Sequence, residues 1–218
     1  MGLKIFDLDG TLIHCDSSSK FCQFCVSKGL VSDPDYLAKE RHIMQSYSAQ
    51  TMQIDDYIAL QLQPLLGLSK AEVASLSDEF VASQASNYIY QQGRDLIKEY
   101  IDQGDRVVIV SATAEFIVTA IAKALGVKDV IAIQIEEVNA NYTDKVKGIA
   151  SYREGKVTRL MQWLTDEGLE LTNSYFYSDS INDLPLLELV NNPVATNPDS
   201  QLKALAKSNG WKILNFEK

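Results

Sequence analysis

Residues 4–8, Lys4-Ile5-Phe6-Asp7-Leu8, form a short apolar run that breaks off at Asp9-Gly10-Thr11. A run of this length bounded by a turn reads as a strand buried in a sheet. The stretch that follows, from Ser17 to about Ile89, has helical spacing only, and from Arg94 onward strands and helices alternate. The lone first strand therefore finds its partners far along the chain. Strands joined by connections this long pair in parallel, with right-handed crossovers and helices on both faces. The expected fold class is α/β, a Rossmann-like parallel sheet with an all-helical insert placed directly after its first strand.

Within the insert, Lys20–Lys28 is amphipathic and stops at Gly29, and Asp33-Pro34 opens a second helix. Thr51–Leu66 carries Ile54, Ile58 and Leu62 at helical spacing, with Pro64 as kink or terminator. Ser69-Lys70-Ala71-Glu72 is a capping box that opens a fourth helix. After the insert, Arg94–Gln103 is helical. Arg106–Val110 is a β-branched strand ending at Ser111, Ala114–Leu125 a helix, and Asp129–Ile133 a strand. The polar segment Glu136–Tyr152 suits a β-hairpin and Lys156–Glu167 a helix. Short strands follow at Tyr175–Tyr177, Pro193–Ala195 and Trp211–Phe216, with helices at Leu184–Leu189 and Ser200–Lys207. The expected division is a core of residues 1–15 and 90–218 and a helical cap of residues 16–89.

Composition narrows the function. The 20 Lys and Arg stand against 29 Asp and Glu, a net charge of −9. That balance argues against nucleic acid as the main partner, because a phosphate backbone calls for a basic face. It leaves room for a small phosphorylated metabolite met by local cations. No apolar stretch is long enough to span a bilayer. Asp7 interrupts any signal-peptide pattern, and Phe6 stands where a myristoylation motif wants Ser or Thr. The cytoplasm is the expected compartment, and the sequence is silent on oligomeric state. Cys22-Gln23-Phe24-Cys25 is formally a C-x-x-C beside Cys15 and His14. It lacks the second ligand pair of a zinc site, so Phe21, Phe24 and Cys25 are expected as the apolar stripe of a helix.

In an open parallel sheet ligands bind at the carboxyl edge of the strands. That edge collects Asp7 and Asp9 from the first strand, Ser111 from the second, and Ser178-Asp179-Ser180-Ile181-Asn182-Asp183 after the aromatic strand. Lys156 opens a nearby helix. Clustered carboxylates repel one another, and a divalent cation relieves that repulsion. Carboxylates, one hydroxyl, one lysine and one amide suit Mg²⁺ and a phosphoryl group.

Asp7-Leu8-Asp9-Gly10-Thr11, Ser111, Lys156 and Asp179-Ser180-Ile181-Asn182-Asp183 resemble, in order and over the whole chain, the four motifs of the haloacid-dehalogenase-like (HAD) hydrolase superfamily. The insert resembles its C1-type cap. Tyr152-Arg153-Glu154-Gly155-Lys156-Val157 and the tail from Asn197-Pro198-Asp199 to Trp211 resemble the phosphoserine-phosphatase-like branch, subfamily IB. The resemblance implies an Mg²⁺-dependent phosphatase acting through an aspartyl-phosphate. Asp7 would be the nucleophile and Asp9 the general acid–base. Asp7, the Asp9 carbonyl and Asp179 would hold the metal, with Asp183 in its outer environment. Ser111 and the amides after it, Ala112 first, would bind phosphate at a helix N-terminus together with Lys156 and Asn182. Thr11 would fix the turn that carries Asp9. Ser178 departs from the glycine many relatives have there.

The same resemblance places Asp16 where phosphoserine phosphatases meet the substrate ammonium; as a residue ahead of Ser17-Ser18-Ser19 it serves equally as a helix N-cap. Arg41 is the cap's arginine available for a substrate carboxylate, with His42 beside it. Phosphoserine, histidinol phosphate and other small phosphomonoesters all remain as substrates. A phosphotransferase using an acceptor alcohol, and a non-catalytic phosphometabolite-binding protein, are the rival readings.

Overall fold

The computed structural model describes residues 2–48, 51 and 53–217. In chain order the elements are β1 (Leu3–Phe6), α1 (Ser17–Ser27), α2 (Tyr36–Ser48), α3 (Ile54–Leu62), α4 (Lys70–Ser83), α5 (Gln91–Asp102), β2 (Arg106–Ala114), α6 (Glu115–Leu125), β3 (Asp129–Ile133), β4 (Ile135–Val138), β5 (Asn141–Val146), α7 (Glu154–Glu167), β6 (Ser174–Ser178), α8 (Leu184–Leu187), β7 (Asn192–Thr196), α9 (Ser200–Asn209) and β8 (Lys212–Leu214). Six strands make one parallel sheet in the order β3-β2-β1-β6-β7-β8. The order runs one way from β1 to β3 and the other way from β6 to β8. The switch point lies between β1 and β6, where a crevice opens at the carboxyl ends.

Alternation along β1 and β2 divides the interior into two layers. Leu3, Ile5, Val108 and Val110 face α7 and α9, packing with Leu160, Leu164, Leu202 and Ala206. Phe6, Val107 and Ile109 face the other side, with Ile97 of α5, Ile117 and Ile121 of α6. That second layer continues without a break into the insert through Phe21, Phe24, Ile58, Leu62 and Phe80. Phe21 meets Phe80 edge-on at 5.4 Å and Phe116 at 5.6 Å, which seats α1 against both α4 and α6. Phe21, Cys22, Phe24 and Cys25 are all buried in α1. Burial pushes the thiols of Cys22 and Cys25 up to about 12, so they act as apolar core rather than as thiolates.

Several boundaries differ from the sequence expectation. β1 ends at Phe6, so Asp7 and Leu8 already belong to the turn. α2 begins at Tyr36, because the Asp33 carboxylate accepts from the Asp35 amide (2.9 Å) and holds Pro34 in the turn before the helix. α3 is shorter than Thr51–Leu66: Gln53 is its extended N-cap, Met52 lies outside the described residues, and Pro64 sits in a single 3-10 turn over Gln63–Leu65. The capping box at Ser69 and Glu72 is present with both reciprocal hydrogen bonds. The hairpin is β4–β5, turned at Asn139 and Ala140 with φ of 53° and 65°.

Candidate active site

The turn that carries Asp7 and Asp9 is built by exclusion of side-chain volume. After β1 the chain winds through Gly10 at φ +75°, a left-handed conformation open to glycine. A Cβ there would lie 2.1 Å from Asp179 Oδ2. The glycine thus lets the loop after β6 close onto the loop after β1. The Thr11 hydroxyl then lies 3.4 Å from Asp7 Oδ2 and 3.2 Å from Asp179 Oδ1, placing the two carboxylates on one donor. A second close approach occurs at Gly155, whose Cβ would fall 1.9 Å from the Ala150 carbonyl oxygen. This tight packing at the start of α7 brings Lys156 inward.

Lys156 is 2% exposed, yet its ammonium donates to Asp7 Oδ1 (2.7 Å) and lies 2.7 and 2.8 Å from the two Asp183 oxygens. Burial opposes that charge, but Asp183 and Asp7 overcome it and raise the lysine above its ordinary range. Asp183 is further held by the Ser178 hydroxyl at 2.7 Å. The serine that replaces the usual glycine is therefore a structural partner of Asp183, buried and satisfied. Asp183 is committed to Lys156 and Ser178 and does not cap α8 with its side chain.

Asp9 is gripped at both oxygens: Oδ1 accepts from the Ser17 amide (2.6 Å) and Oδ2 from the Thr113 hydroxyl (2.8 Å). Burial, with Asp16 and Asp7 nearby, pushes its carboxyl up to about 7. Burial likewise pushes Asp7 up to about 6, against the pull of Lys156, and raises Asp179 well above the carboxylate range.

Ser111 departs from expectation. It is not at a helix start, because β2 runs on to Ala114 and α6 begins at Glu115. Pairing with β3 passes from Val110↔Ile131 to Ala114↔Ile133, so Ser111, Ala112 and Thr113 form a bulge. A bulge frees ladder groups and re-aims side chains, which places these three residues on the cavity wall. The Thr113 amide donates to the Ser111 hydroxyl (3.2 Å), and the Ser111 carbonyl accepts from Ser151 (2.5 Å).

The cavity above them encloses about 570 Å³. Its floor holds Asp7, Asp9, Ser111, Ala112, Asp179 and Asn182. The Asn182 side-chain oxygen is buried without a hydrogen-bond partner. Asp16, His14, Met44, Tyr57 and Tyr90 form part of the wall contributed by the insert and its two junctions. Asp16 fills both roles weighed for it: its carboxylate caps α1 at the Ser19 amide (2.7 Å), and it faces the cavity. Glu40, 3% exposed, backs this region by accepting from the Ser19 hydroxyl. Arg41 is exposed on α2 and is not among the cavity-lining residues, and His42 is likewise exposed. Among the described residues neither lysine nor arginine lines the cavity.

Sequence reasoning weighed His14 only beside the C-x-x-C and did not single out Thr113, Tyr57, Tyr90 or Met44, which carry no local motif. Nor did it assign roles to Asn197, which donates to the Gly10 carbonyl (3.1 Å), or Asp199, which accepts from the Ile181 amide (2.8 Å). Both lie in the tail segment that carries the resemblance.

The donor set fits Mg²⁺. Asp7 Oδ2 and Asp179 hydrogen-bond a shared hydroxyl rather than an ammonium, and burial raises both groups, the condition a hard cation relieves. Among the described residues no three His, Cys, Asp or Glu side chains group as a metal cage. Two carboxylates and a backbone carbonyl, completed by water and phosphate, lie below that count.

The model of the haloacid dehalogenase-like hydrolase family matches residues 5–188. The chain is 40% identical over 219 residues to a histidinol-phosphatase of Neisseria meningitidis serogroup C (strain 8013), covering 99% of each. A crystal structure of a protein of unknown function from Bordetella pertussis Tohama I superposes with a TM-score of 0.89 at 35% identity, over 97% of each chain. A substrate-bound phosphoserine phosphatase shares the fold, with a TM-score of 0.69 at 17% identity over 100% of this chain and 93% of that one. With the four motifs gathered on one sheet edge and the family model spanning most of the chain, this protein belongs to the haloacid dehalogenase-like hydrolases.

Proposed function

We propose that the protein is an Mg²⁺-dependent phosphatase that forms an aspartyl-phosphate on Asp7, and that its substrate is histidinol phosphate. The observation that carries the substrate assignment is the cavity wall. It presents the Asp16 carboxylate with Glu40 behind it, beside His14, Tyr57 and Tyr90, and no lysine or arginine among the described residues. Histidinol phosphate offers an ammonium and a ring but no carboxylate. Phosphoserine brings a carboxylate that finds no cationic partner there. The identity to a histidinol-phosphatase over nearly full lengths supports the same choice.

In this reading residues 16–89 form a cap over a core of 1–15 and 90–218. Lys156 holds Asp7 through Oδ1, and the Asp7 carboxylate attacks phosphorus. As the phosphorus–ester bond breaks, its electron pair leaves with the alkoxide, and Asp9 supplies the proton. Asp9, now a carboxylate, takes a proton from water as that water attacks phosphorus and the Asp7–phosphorus bond breaks. Ser111, the Ala112 amide and Asn182 receive the phosphoryl oxygens, and Lys156 adds its charge through Asp7. Asp7, the Asp9 carbonyl and Asp179 would hold the Mg²⁺, which when bound offsets charge between an anionic nucleophile and an anionic ester. Asp183 orients Lys156.

Phosphate release from histidinol phosphate and phosphoserine, assayed with Mg²⁺, tests the assignment. Leaving a charge unpaired costs about 2–5 kcal/mol, so histidinol phosphate is expected to be favoured in kcat/KM by about 30-fold or more. Equal turnover of the two would sink the substrate assignment. Asp7→Asn should release no phosphate from either; full activity in that variant rules out the covalent route.

A further inference from the structure

Asp9 has a support that connects the sheet to the insert. Its Oδ2 accepts from the Thr113 hydroxyl at 2.8 Å, and the Thr113 oxygen accepts from the Ser18 hydroxyl at 3.2 Å. Its Oδ1 accepts from the Ser17 amide at 2.6 Å. Thr113 comes from the bulge at the end of β2, whereas Ser17 and Ser18 begin α1. Thr113, Ser17 and Ser18 are buried, at 4%, 0% and 1% exposure. The Asp9 carboxyl group cannot rotate about its Cβ–Cγ bond without losing both donors.

We propose that Thr113 is a positioning residue for the general acid, with Ser18 fixing the direction of its hydroxyl. Thr113 orients the Asp9 carboxyl so that its proton reaches the leaving oxygen, and the beginning of α1 must be seated for that orientation to exist. The inference rests on the role given to Asp9 above. During ester cleavage the phosphorus–oxygen bond breaks, the electron pair stays on the leaving oxygen, and the Asp9 proton joins it. The carboxylate that remains keeps the Thr113 and Ser17 donors it already had. Neither hydroxyl gains or loses a proton overall.

The leaving group supplies the test. An alkoxide needs protonation in the transition state, whereas p-nitrophenolate leaves unaided. General acid catalysis contributes about 10²–10⁴-fold, and a misplaced group forfeits a large part of it. In Thr113→Val, kcat/KM on an alkyl phosphate, which reports only the steps through transfer to Asp7, should fall about 10–100-fold, while kcat/KM on p-nitrophenyl phosphate changes by less than about threefold. Thr113→Ser, which keeps the hydroxyl, should restore the alkyl rate, and Ser18→Ala should fall between. The ratio of alkyl to aryl rates within each variant does not depend on how much of a preparation is folded. Equal losses on both substrates, an unchanged ratio, or failure of Thr113→Ser to restore it would overturn the proposal. Absence of phosphate release from both esters by the unmodified protein would instead refute the phosphatase reading on which it rests.

Discussion

Replacement of Lys156 by Met tests the electrostatic frame of the site most directly. The substitution removes the ammonium that binds Asp7 at 2.7 Å and Asp183 at 2.7–2.8 Å and leaves two carboxylates buried at 7% and 3% exposure. Removing one partner of a buried ion pair costs about 3–5 kcal/mol. For a chain of this size each kcal/mol moves Tm by about 2–4 °C, so metal-free protein should lose about 6–20 °C at pH 8. The pH dependence follows from the direction of the Asp7 shift. Asp7 stands at about 6 when folded against 3.8 ordinarily, and Lys156 is among the influences that lower it. A carboxyl raised by folding contributes its full stability below its unfolded value and loses it as pH rises through the folded value. Without Lys156 the folded value rises further, so the deficit relative to the unmodified protein should widen from pH 5 to pH 8. Lys156 itself, raised by folding, stays charged throughout that window. Calorimetric scans in EDTA at both pH values measure the gap, and Lys156→Met/Asp183→Asn should recover part of it by removing one stranded charge. A gap under about 2 °C at pH 8, or one equal at both pH values, would refute the reasoning.

Two further outcomes follow from the geometry. Mg²⁺ at 100 times its dissociation constant should stabilise the protein by about 2.7 kcal/mol, and Asp179→Asn should abolish that increment at the same concentration; thermal scans with and without Mg²⁺ read both. Gly10→Ala should unfold more readily and release no phosphate, because its Cβ would stand 2.1 Å from Asp179 Oδ2 in a left-handed turn. Denaturant midpoint and phosphate release check it.

Much of the sheet was legible because β-branched runs such as Val107–Val110 and the glycines Gly29, Gly104 and Gly126 after α1, α5 and α6 are local signals. Asp7, Asp9, Lys156, Asp179 and Asn182 were legible because each follows a strand or opens a helix, and parallel topology takes such positions to one edge. The bulge over Ser111–Thr113 was not, since it exists only as a mismatch of pairing between β2 and β3. A continuous apolar run does not announce where its partner will stop matching.

The sequence by itself determined the order of elements, the placement of the helical insert and the carboxylates that meet. Those properties follow from periodicity and from the handedness of crossovers. Tertiary structure alone decided how the charges are shared. Whether Asp183 would face a metal or a lysine depended on Lys156, 149 positions along the chain from Asp7, folding back to put one ammonium between two carboxylates. It also decided that Arg41 stands outside the cavity while Asp16 and three aromatic side chains with no common motif, His14, Tyr57 and Tyr90, line it. A side chain's neighbours along the chain govern its backbone. Its electrostatic environment, which governs chemistry, comes from groups the sequence keeps far apart.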